Sequence, residues 1–100
     1  MKEFIKHQYN IGAVARLTQI HAETIRVWER RYELVMPERT DTGRRVYSEG
    51  DIERLLLVKQ LTEIGHAVSG LADLSNDNLK ELLTSSQARH DLNPQAASAP

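Results

Sequence analysis

Two short helical patterns separated by a break of a few residues limit the fold of this chain more than any other feature. Over residues 10–18, and again over about 22–32, apolar residues recur at the three- and four-residue spacing of one helix stripe. Asn10 stands at the N-cap position of the first pattern, and Gln19 and Ile20 form the break. The spacing therefore predicts two short helices joined by a tight turn.

A change of period after the second helix predicts a small β-hairpin. Pro37 ends any helical continuation, because proline cannot donate a backbone hydrogen bond. Two short segments flank the turn 41–43 (Asp-Thr-Gly), where Gly43 is available for a positive φ. Two strands alone are only marginally stable, so the hairpin must lean on the helices. Val46 and Tyr47 are predicted to supply that contact.

The second half of the sequence predicts one long helix and two short ones. Ser48 opens the long helix, Asp51 stands where a capping-box acid belongs, and Gly65 is the predicted end. Short helices are predicted at about 67–73 and 76–84.

The patterns together predict one mainly α domain over residues 10–84. An N-terminal arm over 1–9 and a disordered linker or tail over 85–100 flank it, since the tail has almost nothing to bury. The residues predicted to form the core are Ile11, Val14, Ala15, Ile20, Ile25, Trp28, Tyr32, Ile52, Leu55 and Leu56.

Composition narrows the possible functions. A chain of 100 residues suffices for one small domain, and the absence of cysteine excludes disulfides and cysteine-ligated metal sites. The four histidines lack metal-ligand spacing, so no metal site is predicted. No apolar run approaches the ~20 residues of a membrane helix, and a soluble intracellular protein is expected. No nucleophile beside a base and no phosphate-binding glycine loop is found, so no enzyme is predicted.

The net charge of −1 averages two unlike halves of the chain. Residues 16–45 carry seven arginines against five acids, whereas residues 49–91 carry four basic residues against eight acids. Arginine suits bidentate contact with phosphates and guanine edges better than lysine does. The alternative is a solvated face on which arginines pair with glutamates at helical spacing. Charge alone leaves both interpretations open.

The helix pair and the arginine-rich hairpin together favour a DNA-binding surface. The second helix is narrow enough to enter the major groove, and the hairpin, here called the wing, would flank it on the phosphate backbone or in a minor groove. Thr24 has a local capping bond as its alternative role, and Trp28 is assigned to the core rather than to base stacking. The predicted DNA-contacting residues are Arg16, Thr24, Arg26, Val27, Arg30, Arg31, Arg39, Arg44, Arg45 and Tyr47.

From about Tyr9 to Leu83 the chain resembles the DNA-binding domain of the MerR family of bacterial transcription regulators. The matching stretches are IGAVARLT, ETIRVWERRYEL, PERTDTGRRVYSEGDIERLLLVKQLTEIGH and SGLADL. The resemblance implies a winged helix-turn-helix fold, operator DNA as the partner and a cytoplasmic, nucleoid-associated location. VWERRY and EIGHAVSGLADLS resemble the subgroup that acts largely as repressors and carries a C-terminal cobalamin-binding light sensor. No cofactor is expected in this chain, whereas cobalamin is possible in a missing C-terminal domain.

The resemblance to that family also implies the conformation of two residues and the role of a third. Gln19 and Glu33 stand where the family often has glycine, so each is expected to hold a left-handed conformation at a cost of ~1 kcal/mol. The resemblance also makes Arg39 a candidate brace for the wing as much as a DNA contact.

Two rival functions stay open beside operator binding. The arginine surface could be captured by an acidic antirepressor protein that imitates DNA, or it could belong to an excisionase-like architectural DNA binder. The long dimerising helix of ordinary family members is not evident, and so a fragment or a naturally short regulator is expected. One copy alone is expected to be monomeric, with an oligomer formed through the missing C-terminal domain.

Overall fold

The computed structural model describes residues 8–92, with side chains described up to residue 87, and in this range the chain is mainly helical. In chain order its elements are α1 (Ile11–Thr18), α2 (Ala22–Tyr32), β1 (Glu38–Arg39), β2 (Arg45–Val46), α3 (Glu49–Glu63), α4 (Val68–Leu71) and α5 (Asn76–Leu92). The strands of the wing pair antiparallel, Glu38 opposite Val46 and Arg39 opposite Arg45. The predicted fold class, a mainly α winged helix-turn-helix, is confirmed. Within the described range, no helix has the length and hydropathy needed to cross a membrane.

Side-chain caps begin two of the helices as the sequence predicts. The Asn10 side chain accepts a hydrogen bond from the backbone N–H of Ala13 at 2.8 Å, which satisfies one of the free amides at the start of α1. Ser48 and Asp51 form a reciprocal capping box at the start of α3. These local bonds fix where the chain enters each helix.

Left-handed residues end both helices of the helix-turn-helix. Gln19 has φ 62° and Glu33 has φ 52°, the left-handed conformation that the family resemblance implies for both. The backbone N–H of Gln19 bonds back to α1, and that of Glu33 bonds back to α2, which satisfies carbonyls at each helix end. The chain turns sharply at each residue, so α2 is short and its direction relative to α1 is fixed.

The hydrophobic core lies among α1, α2, α3, the wing and the start of α5. Its buried apolar residues are Val14, Ile20, Ile25, Leu34, Val35, Tyr47, Leu55, Leu57, Val58, Leu61, Leu71 and Leu79. Partly buried residues that pack against it include four predicted core members: Ile11, Ala15, Trp28 and Ile52.

Two residues that are predicted to form the core are only half-buried in the structure and lie outside the core. Tyr32 is half-buried at the end of α2 and lies outside the core, where Arg31 stacks over its ring. Leu56 is also half-buried, whereas its neighbour Leu57 is buried. The reason is the position of α5, since Glu53, one turn before Leu57, forms an ion pair with Lys80 at 2.8 Å. A second helix therefore covers the face of α3 that carries Leu57.

The two ends of the folded region also differ from the prediction. Tyr9 belongs to the fold and not to a loose arm, because it exchanges backbone hydrogen bonds of 3.0 and 2.8 Å with Tyr47. Helix α5 continues to Leu92, so the predicted tail is wrong for 85–92. No glycine or proline interrupts the sequence of that stretch, and a helix that is already nucleated extends at little cost. Residues 1–7 and 93–100, also predicted to be arm and tail, lie outside the described residues.

Arg54 of α3 joins segments that are distant in sequence. Its guanidinium donates to the carbonyl oxygens of Leu34 at 2.5 Å, Leu74 at 2.6 Å and Ala72 at 2.6 Å, and to the side chain of Asn76 at 3.1 Å. Arg54 thereby fixes the loop after α2 to the junction between α4 and α5. No local sequence pattern predicts this role of Arg54.

We expect Arg54→Met to lower the free energy of unfolding by about 2–4 kcal/mol, because half-buried carbonyl oxygens lose their charged donor. Urea unfolding followed by circular dichroism measures the change. The matched control is Arg30→Met, which removes an exposed arginine and is expected to stay within about 0.5 kcal/mol of the wild type. Equal stability of the two variants would contradict the role given to Arg54.

Candidate nucleic-acid interface

The outward face of α2 carries two arginines one helical turn apart. Ile25 and Trp28 face the core from the opposite side, which leaves Arg26, Val27 and Arg30 directed away from it. Arg30 is exposed, and it makes no ion pair or side-chain hydrogen bond with any residue in the described part of the chain. Its guanidinium is therefore available to a ligand.

Arg26 is paired within the protein, but only at the surface. Its Nη1 atom lies 3.2 Å from a carboxylate oxygen of Glu23, and the two side chains are 39% and 73% exposed. A surface pair of this kind contributes about 0–1 kcal/mol, so a phosphate can replace Glu23 at little cost. The alternative of glutamate pairing on a solvated face thus describes Arg26 in the free protein without removing it from the candidate site.

In the wing, one arginine braces the turn by a hydrogen bond and another is exposed to solvent. Arg39 donates to the carbonyl oxygen of Gly43 at 3.0 Å across the turn, which is the bracing role considered for it in the sequence. Gly43 has the predicted positive φ of 85°. Arg44 is exposed, and among the described residues its side chain has no partner.

A buried carboxylate connects α2 to the wing. The side chain of Glu29 is only 9% exposed, and its Oε1 atom lies 3.1 Å from Nε of Arg45 in β2. The hydroxyl of Tyr47, which follows β2, donates to the Oε2 atom of the same carboxylate. Both oxygens of Glu29 therefore contact the end of the wing, and the wing is held beside the arginine-bearing helix.

The ionisation of Tyr47 reflects this arrangement. Burial, followed by the hydrogen bond from its hydroxyl to Glu29 and by the negative charge of Glu29, raises the pKa of Tyr47 well above its ordinary value of 10.0. The positive charges of Arg45 and Arg26 act in the opposite direction. One arginine of the wing and one of α2 therefore act on the same hydroxyl.

Tyr47 and Arg45 both contact Glu29 within the protein. Tyr47 is fully buried and its hydroxyl is bonded to Glu29, which confirms its predicted packing contact between the wing and the helices, and DNA contact by Tyr47 stays a prediction. Arg45 is 34% exposed and paired with Glu29, so its charge is largely compensated within the protein.

Four further residues that are predicted to contact DNA lie on α1 and α2. Arg31 lies on the flank of α2 with its guanidinium 5.7 Å from the centre of the Tyr32 ring, and Arg16 is exposed in the last turn of α1. Thr24 is half-buried near the start of α2, and its hydroxyl forms no capping bond with the described residues. Val27 is half-buried on the outward face. DNA contact by these four residues stays a prediction.

Glu29 is the residue of the site that sequence reasoning missed. The sequence pattern places it among several glutamates able to pair with arginines on a solvated face. A weak signal was present, because Glu29 lies one residue after the core residue Trp28 and three after Arg26, at the boundary between the two faces of α2. No local pattern, however, indicates that Arg45 and Tyr47 meet at that boundary.

Two short helices joined through a left-handed residue, with an arginine-bearing hairpin held against the second helix, define a regulatory domain of the winged helix-turn-helix class. Residues 9–84 match the model of the MerR HTH family of regulatory proteins. The chain therefore belongs to the MerR family, as the resemblance implied.

Relatives with named functions agree with this membership. The chain is 43% identical over 72 residues to the HTH-type transcriptional regulator MlrA of Escherichia coli strain K12, across 71% of this chain and 30% of MlrA. It is 42% identical over 66 residues to the HTH-type transcriptional repressor CarH of Myxococcus xanthus, across 66% of this chain and 22% of CarH. The chain thus spans less than a third of either relative. Both are transcriptional regulators and not enzymes, which agrees with the prediction made from the sequence.

A solved structure shares the fold. The crystal structure of a MerR-family transcriptional regulator from Bacillus cereus matches with a TM-score of 0.62 over 83% of this chain and 72% of that protein. The sequences are 17% identical, so this likeness concerns the fold alone.

We expect Tyr47→Phe to reduce the loss of stability at high pH. A pKa raised by folding stabilises the protein below the unfolded value of 10.0, and this stabilisation is lost as the pH rises above it. Removing the hydroxyl removes that dependence. Urea midpoints at about pH 9 and about pH 11 measure it.

Tyr32→Phe is the control, because it removes the hydroxyl of a half-buried tyrosine that is not bonded to Glu29. It should keep the wild-type dependence on pH. A Tyr47→Phe protein that loses stability as steeply as the wild type would show that Tyr47 does not contribute.

Proposed function

We propose that this chain is the double-stranded DNA-binding domain of a bacterial transcriptional regulator that acts as a repressor. Helix α2 enters the major groove, and the wing lies on the neighbouring phosphate backbone or minor groove. The observation that carries the proposal is the attachment of the wing to α2 through Glu29, which holds the arginine-bearing hairpin against the helix that carries Arg26 and Arg30. In the proposed complex, guanidinium groups from both elements contact one duplex.

Arginine contacts with phosphates supply most of the affinity and make it depend on salt. Base contacts from α2 supply discrimination, at about 1–3 kcal/mol for each good bidentate contact. A single copy has a short interface and binds weakly, so useful affinity comes from two or more copies on repeated half-sites. CarH bears the name of a repressor and MlrA that of a regulator, and the first of these supports repression as the outcome.

The rival functions use the same arginine surface and differ in what they predict. An antirepressor-binding module would prefer an acidic protein surface and show little preference among duplexes. An architectural binder would have its site beside an attachment site and not beside a promoter. Cobalamin stays an expectation of the family resemblance for a domain outside this chain.

We expect Arg30→Ala to reduce the preference for the operator over an unrelated duplex by about 5- to 100-fold, because a base contact is lost. Its melting temperature should remain close to that of the wild type, since Arg30 is exposed and unpaired among the described residues. Footprinting on the DNA upstream of the gene locates the operator, and gel shifts measure both affinities. Lys80→Ala removes the same charge from α5 and is the control. An Arg30→Ala protein with wild-type preference would remove Arg30 from base recognition.

We expect Arg44→Ala to weaken binding to all duplexes by a similar factor and to reduce the slope of log affinity against log salt by about 0.9, the loss of one phosphate contact. Gel shifts or fluorescence anisotropy at several salt concentrations measure the slope. Selective loss on one sequence would show instead that the wing reads bases.

A further inference from the structure

We propose that Glu29 is a specificity-determining residue that acts by restraining Arg45, a role that rests on the DNA-binding function proposed above. In the free protein its buried carboxylate compensates the charge of Arg45, which keeps this arginine from contributing to binding of arbitrary duplexes. When α2 is seated on its operator, a backbone phosphate reaches Arg45 and takes the place of Glu29. Glu29 itself contacts no DNA and is a positioning residue.

The burial of Glu29 distinguishes it from Glu23, the other acid of α2. Glu23 is 73% exposed and pairs with Arg26 at the surface, where solvent screens the pair. Glu29 is 9% exposed, so its negative charge is shielded little by water and acts strongly on the cation beside it. A buried charge without a partner is costly, and here the partners come from the wing.

The contact between Glu29 and Arg45 is close but poorly directed. The Nε atom of Arg45 lies 3.1 Å from the carboxylate oxygen, yet this buried atom forms no hydrogen bond of acceptable geometry. The pair is therefore held by charge and not by a well-aligned bond. Arg45 is also 34% exposed, so its side chain is accessible from the surface. A phosphate that offers better geometry can replace Glu29 as its partner.

Tyr47 keeps the carboxylate of Glu29 hydrogen-bonded when Arg45 moves away from it. Its hydroxyl donates to the other oxygen of Glu29, and the ring is fully buried, so this bond stays in place when Arg45 moves. Glu29 therefore keeps one hydrogen bond in the DNA-bound state that we propose.

The test is Glu29→Gln, which preserves the size of the side chain and an oxygen that accepts the Tyr47 hydroxyl. Removing the charge frees Arg45 on every duplex. We expect affinity for an unrelated duplex to rise on the order of 5-fold, with a salt slope steeper by about 0.9. Affinity for the operator should change less, so the operator preference falls. Circular dichroism and the melting temperature check that the variant is folded.

Two variants separate this role from simpler explanations. Glu23→Gln removes the same charge from the exposed pair, and we expect it to change the affinity for the unrelated duplex by less than 2-fold, since the pair is already solvated. In the double variant Glu29→Gln with Arg45→Ala, the gain on the unrelated duplex should disappear, because the freed cation is gone. A general effect of net charge would act equally in both glutamine variants and would persist in the double variant.

The outcomes also separate this inference from the proposed function. If the wild type prefers its operator while Glu29→Gln binds the unrelated duplex no better than Glu23→Gln does, the role of Glu29 is overturned and DNA binding stands. A folded Glu29→Gln protein that loses affinity for both duplexes overturns the restraint as well, and makes Glu29 a purely structural support. A wild type that binds no duplex overturns both proposals.

Discussion

The contact of one buried carboxylate with the wing is the interaction on which the candidate site depends. A hairpin of two short strands has little stability of its own, and its direction is set by what it packs against. Here Tyr47 is buried in the core and Glu29 receives both its hydroxyl and Arg45. Burying a carboxylate is costly unless it is compensated, and here the Tyr47 hydroxyl and Arg45 compensate Glu29 when the wing is docked. Glu29 therefore ties the position of the wing to that of α2.

Short-range signals made much of this fold predictable from the sequence. The caps at Asn10 and Ser48 depend on neighbours within a few positions and can be predicted from residue types and spacing. The left-handed conformations of Gln19 and Glu33 follow instead from the family resemblance, because neither residue is a glycine. Resemblance to a family then specified the order of helices and wing, and this order was confirmed by the structure and by the match over residues 9–84.

Features that depend on contacts distant in sequence were not predictable in this way. Leu57 is buried because α5 covers its side of α3, and Arg54 bonds to carbonyl groups about 20 positions away, which no local pattern reveals. The same limit applies within the site. Arg44 and Arg45 are adjacent and chemically identical, yet one is exposed and the other is paired with Glu29. Only the position of α2 beside the wing makes them different.

Under the proposed function, this difference bears on how a domain with a small net charge binds DNA, a polyanion, selectively. Exposed arginines attract any duplex, so each one added raises non-specific and specific affinity together. An arginine compensated by a buried acid adds little until a phosphate occupies a defined place, which depends on how well α2 fits the groove. Arg30 and Arg44 are exposed, whereas Arg45 is paired with Glu29, so the proposal assigns the first two to the first kind and Arg45 to the second. On this proposal, acidic residues inside an arginine-rich surface contribute to selectivity, and the charge of −1 is compatible with a DNA-binding face.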